Sequence, residues 1–260
     1  MTTPGKEGLP IDPRIEETEA LRKLKVIGRL KEEERISAVT PETVTEFWRT
    51  RLEIDGARTG LRIKVPDCNW TQEEISKPML RRGSKEPIAI AGRMLYLPKE
   101  LTGREGLIRL GKIYSQLTGR RAEGSYTLDE DTKESEWVTN FHDTFGWIKV
   151  EATSITPNRN TTEEQLRIFA NEHGYDMQRE AVYILASIAS KDLTNHFFDE
   201  INIKEKNRNS WSRLGGSHGG GGVIAACFHP EDGHLRVLLA VDPKQQDDHY
   251  GGRFEQPLRR

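Results

Sequence analysis

Ala181-Val182-Tyr183-Ile184-Leu185-Ala186 is apolar almost all the way round a helix, and the later runs Val223 to Phe228 and Leu235 to Val241 are rich in β-formers. A helix without a polar face must be covered on most sides, so the spacing predicts a buried helix near 177–198. Ser187, Ala189 and Ser190 are small enough to let another element approach it closely. The two later runs are joined by His229-Pro230-Glu231-Asp232-Gly233, where Asp-Gly supplies the positive φ of a tight turn. They predict a C-terminal β-hairpin. Helical and strand patterns alternate without the βαβ cadence of a parallel sheet, which gives an α+β fold of mixed helices and short antiparallel strands.

Upstream of the buried helix, the chain carries repeated helix-start signals. Asp12-Pro13 reads as an N-cap followed by proline at the first helical position, opening a helix over 13–36. Its apolar residues Leu21, Leu24, Ile27 and Leu30 form one narrow stripe, which suits a helix lying on the body or on a protein partner. Thr40-Pro41 starts a second helix that the spacing ends at Asp55-Gly56. Capping boxes are expected at Thr71 with Glu74, Thr102 with Glu105, and Thr161 with Glu164. Gly119 and Gly174 close the last two helices. Strands are expected at Leu61 to Val65, at 137–141 and within 145–155. Ile88 to Leu97, split by Gly92-Arg93, reads as a small hairpin or one bent strand.

The 260 residues suffice for one large core or two modest domains. A boundary is expected near 122–134. It separates a flexible lead (1–12) and a helix-rich basic region (13–121) from an α+β domain (135–241), and a polar, frayed tail (242–260) follows. Hydrophobic residues are 35% against 31% charged, and the net charge is only -2, which implies a folded body with polar ends. No stretch approaches the roughly 20 apolar residues that cross a bilayer, and Met1 to Pro10 lacks the apolar centre of a signal peptide. The expectation is a soluble, cytoplasmic protein that does not engage membranes. Cys68 and Cys227 belong to no paired ligand motif, so neither a disulfide framework nor a structural zinc site is expected, and no cofactor or metal is assigned.

The near-zero net charge conceals two adjacent blocks. From Lys77 to Arg121 eleven bases face three acids, whereas from Ala122 to Phe145 seven acids face one lysine. Arg104, Arg109 and Lys112 lie opposite the apolar face of their helix, and Arg120-Arg121 extend the row, which points to an anion-binding surface for nucleic acid or another polyanion. The opposing reading is that the acidic block folds over the basic one.

The second anomaly is the segment 215–222, with six glycines in eight positions. Backbone N–H groups of Gly219 and Gly220, with Arg213, could converge on an anion, and His218 could serve as an acid or base. The competing reading is a glycine-lined crossing or flexible connection. The sequence therefore favours a non-catalytic binding protein, with a small enzyme acting on an anionic substrate at the glycine-rich loop, or a purely structural protein, as the alternatives.

Overall fold

A computed structural model describes residues 39–83, 85–119, 123–124, 144–153, 156–194, 196–199, 210–217, 222–228 and 234–258. The lead, the helix over 13–36, the strand at 137–141 and the turn at 229–233 lie outside them. In chain order the elements are α1 (Pro41–Thr59), α2 (Gln72–Ser76), β1 (Met79–Arg81), β2 (Ile88–Ile90), β3 (Arg93–Leu97), α3 (Gly103–Thr118), β4 (Glu123–Gly124) and β5 (Gly146–Val150). They continue with α4 (Glu163–His173), β6 (Asp176–Met177), α5 (Glu180–Thr194), β7 (Trp211–Ser217), β8 (Val223–Phe228), β9 (Leu235–Val241), β10 (Tyr250–Gly252) and β11 (Phe254–Pro257).

The fold is α+β, and its two deciding stretches form as the sequence predicts. Val182 to Ser190 of α5 are buried without a gap, and β8 pairs antiparallel with β9. The strands make a two-stranded sheet (β1-β2), a five-stranded sheet (β10-β7-β8-β9-β4) and a four-stranded sheet (β3-β5-β11-β6). Helix α5 packs on α3, β3 and β7. One apolar cluster runs from Val44 on α1 through Leu110 and Ile184 to Val237 on β9. The regions on either side of 122–134 thus share this core, β3 pairs with β5 across that stretch, and β4, within it, pairs with β9.

Local chemistry explains where the elements depart from the pattern. Helix α1 continues past Asp55-Gly56 to a left-handed Gly60. Asp55 is tied to Arg51 by a buried two-bonded ion pair at 2.9 and 3.0 Å, and Gly56 leaves room for the carbonyl of Leu61. Both residues serve packing rather than a break. Leu61 to Val65 alternates in exposure but pairs with no strand among the described residues. The box at Thr71 and Glu74 forms as expected. Thr102 begins its helix without a side-chain cap, since its hydroxyl donates to Lys99 O at 2.8 Å. The third box sits one residue later than expected, at Thr162 and Gln165, because the Thr161 hydroxyl donates to Asn158 O. Ile88 to Leu97 is neither a hairpin nor one strand, for β2 pairs with β1 while β3 pairs with β5. Gly92 divides them where a Cβ would meet the stem of Lys149 at 2.8 Å.

The largest correction concerns the segment expected to fray. Residues 250–257 are two strands, with β10 parallel to β7 and β11 antiparallel between β5 and β6. Arg253 and Phe254, at the junction, are both 0% exposed. The segment is polar because its charges are paired inside the protein, so hydropathy is a poor guide to its position. Gly251 is required at this junction, where a Cβ would lie 2.0 Å from Pro157 O. Gly251→Ala is expected to lower stability by about 1–3 kcal/mol, measured as a shift of the urea midpoint at unchanged slope.

Candidate functional site

On α3 the sequence separates two faces, and the structure keeps them apart. Leu107, Leu110, Ile113 and Tyr114 are buried against the core, while Lys112 is exposed and Arg104 and Arg109 are half-buried. At about 100° per residue these three bases span an outer arc of roughly 140°, with Glu105 between them. Arg109 Nη1 donates to Glu100 O at 2.7 Å, which pins that guanidinium against the turn before the helix. All nine described bases from Lys77 to Lys112 retain exposure. The buried arginines Arg51, Arg179, Arg213 and Arg253 all lie elsewhere in the chain. Arg120 and Arg121 fall outside the described residues, as does nearly all of the acidic block.

Arg213 does not present itself to an external anion. It is fully buried, its Nη1 donates to Thr161 O at 2.7 Å, its Nη2 donates to Gln245 O, and its guanidinium lies 5.3 Å from the Tyr250 ring centre. Burial lowers its pKa against the opposing pull of Glu163. It therefore ties the loop before α4 to the loop before β10.

His218, Gly219 and Gly220 lie outside the described residues, but the first glycines of their segment belong to β7. Gly215 N donates to Gln178 O at 2.9 Å, and a Cβ on Gly216 would lie 2.0 Å from Glu180 Oε1. These two glycines let a strand cross tightly over the start of α5. Gly215-Gly216-Ser217-His218-Gly219 also has the Gly-x-Ser-x-Gly spacing of a nucleophile elbow. An elbow needs a helix directly after its serine. Here strand β8 begins at Val223, antiparallel to β7.

The densest chemistry in the described residues is a buried network that no sequence motif announces. Asp199 accepts from Arg253 Nη2 at 2.6 Å, from Ser212 Oγ at 2.7 Å and from Tyr183 OH at 2.9 Å. Arg253 Nε also donates to Ser212 Oγ at 3.0 Å, and its guanidinium stacks 4.4 Å from the Phe198 ring centre. All four polar residues are 0% exposed. Burial, and then the Asp199 carboxylate, push the Tyr183 phenol well above its ordinary range. Asp199 itself holds φ 58, a left-handed conformation that Asp tolerates better than most residues. The paired charges and filled hydrogen bonds make this a clamp on the junction of β10 and β11.

Three further buried carboxyls flank the same strand. Glu255 accepts from Arg179 N at 2.9 Å and from Arg179 Nε at 2.7 Å, which fastens β11 to the start of α5. Glu180, in the first turn of α5, is pushed up to about 7 by burial, with Glu255 adding to the rise and its own backbone N–H and Arg179 opposing it. Glu151 is also pushed up to about 7, by burial against the opposing charges of Arg253 and Arg81. Its Oε2 accepts from Asn158 Nδ2 at 3.3 Å. Glu180 and Glu151 can exchange a proton near neutrality inside the fold.

Trp48, Trp147 and Cys227 take structural positions. Trp48 and Trp147 are buried and donate to Met94 O and Asp67 O, so they anchor the core instead of offering faces to bases. Cys227 is buried, and burial raises its thiol pKa well above the ordinary value, which leaves it inert. No group of three or more metal-ligating side chains exists among the described residues. None of their helices is long and apolar enough to cross a membrane. No protein-family model matches the chain, and neither a search of curated proteins nor one of solved structures returns a match.

Proposed function

We propose that the protein is a non-catalytic binding protein that engages nucleic acid through the basic surface of residues 77–121. One observation carries the reading. Nine described bases against three acids lie between Lys77 and Gly119, every one of the nine keeps exposure, and every buried arginine lies outside this segment. A cation held at the surface stays available to phosphate oxygens, whereas one bonded inside the core does not. Arg104 and Lys112 on the outer arc of α3 supply the centre of the surface, and Arg120 and Arg121 follow them in the sequence. The helix expected over 13–36 would offer a separate contact to a protein partner, and a cytoplasmic location suits both roles.

Binding of the full chain to fluorescent RNA and DNA across a salt series tests the reading. Affinity should fall linearly on logarithmic axes, with a slope of roughly 0.9 for each phosphate contacted on duplex DNA. Replacing Arg104, Arg109, Lys112, Arg120 and Arg121 together by Gln should weaken binding and flatten that slope. No binding at low salt would overturn the proposal and leave the acidic block as the partner of the basic one.

A further inference from the structure

Phe145 is 54% exposed, and no other Phe, Tyr or Trp among the described residues is as open to solvent. Strand alternation would place it on the face of β5 that carries Trp147, whose buried ring packs on Tyr96 with centres 5.2 Å apart. Gly146 breaks the alternation, since it holds φ 121, a conformation that residues with a Cβ rarely adopt. The backbone on both sides of Phe145 is fixed. Arg179 Nη1 donates to Thr144 O at 2.6 Å, Arg179 Nε is anchored on Glu255, and Gly146 pairs with Leu97 in the last rung between β3 and β5. The ring is therefore held outside the core on a braced backbone, and little freedom is lost when a flat partner covers it.

The same rung joins Phe145 to the basic segment. Lys99, two residues past Leu97, is exposed, and Arg109 reaches this turn from α3, where its Nη1 holds Glu100 O. The acid of the turn is Glu100, so two cations stand against one carboxylate beside the ring. Resting on the nucleic-acid reading above, we propose that Phe145 stacks on an unpaired base and that the basic surface takes single-stranded nucleic acid in preference to duplex. In a duplex each base face is covered by its neighbours, and a ring on a protein surface gains nothing from it. A base splayed from a single strand can lie on Phe145 while the flanking phosphates face Lys99 and Arg109. Every base has such a face, so the preference is for strandedness and not for sequence.

Oligouridylate, oligothymidylate and a mixed-sequence duplex of equal length are titrated against the full chain by fluorescence anisotropy. Phe145→Ala should weaken binding of both single strands by roughly 5- to 150-fold, while duplex affinity and the slope of the salt dependence stay unchanged. Phe145→Trp should retain the single-strand affinity. Irradiation of the wild type with an iodouracil-substituted strand should crosslink at Phe145, so the native chain decides the matter even if a variant fails to fold. Unchanged single-strand affinity in Phe145→Ala, an equal loss on the duplex, or crosslinks that map away from Phe145 would overturn the stacking role and leave the basic surface standing. A wild type that binds none of the three probes overturns both.

Discussion

Asp199→Ala is expected to lower stability by about 3–5 kcal/mol, enough to leave a large fraction of the chain unfolded at 37 °C. Among the described residues Asp199 is the only carboxylate bonded to Arg253, and both side chains are wholly buried. Removing it strands a buried guanidinium between Phe198 and Tyr183 without its charged acceptor. The hydroxyls of Tyr183 and Ser212 lose their acceptor in the same step. Tyr183→Phe, by contrast, removes one donor while Asp199 keeps its charged partner, and should cost only about 1 kcal/mol. Urea denaturation of the two single variants and the double variant measures the coupling directly. Equal and small losses in both singles would show that Arg253 finds another partner.

Stability should fall as pH rises from about 5 to 8, and Glu180→Gln should remove the share of that loss that Glu180 causes, leaving the share of Glu151. The unfolded carboxyl titrates near 4.5, whereas in the fold Glu180 and Glu151 are each pushed up to about 7. Between those values the native state holds protons that the unfolded state has released. Its advantage is therefore complete below about 4.5 and is lost as pH passes 7. At about 1.4 kcal/mol per tenfold change in proton affinity, each group can account for roughly 3 kcal/mol across that range. Glu180→Gln keeps the shape of the neutral acid. It should raise the melting temperature at pH 8 and leave it nearly unchanged at pH 5. A melting temperature that rises with pH in the wild type would sink this account.

The parts of the fold legible in the sequence are those governed by local rules. The apolar girth of α5, the Thr71 box, the left-handed glycines after α3 and α4, and the β8–β9 pair each follow from neighbours a few positions apart. The candidate site was mostly illegible for the opposite reason. Tyr183, Asp199, Ser212 and Arg253 come from four separate parts of the chain, so no spacing links them. Arg253 stands in a polar stretch where a charge reads as a mark of solvent, and only Gly251-Gly252 before it hints at close packing. Arg213 misled in the same way, since a base beside glycines suggests an anion site and in the fold it holds two carbonyls.

Residues 250–257 join two sheets late in the order of synthesis. Until they emerge, β5 and β6 have no strand between them and β7 lacks its parallel neighbour. A ribosome adding about 5–20 residues per second therefore exposes a chain in which the four-stranded sheet is still split and β7 is an open edge. Pairing across these edges waits for residues 250–257, and until then the open edges are where chaperones would be needed.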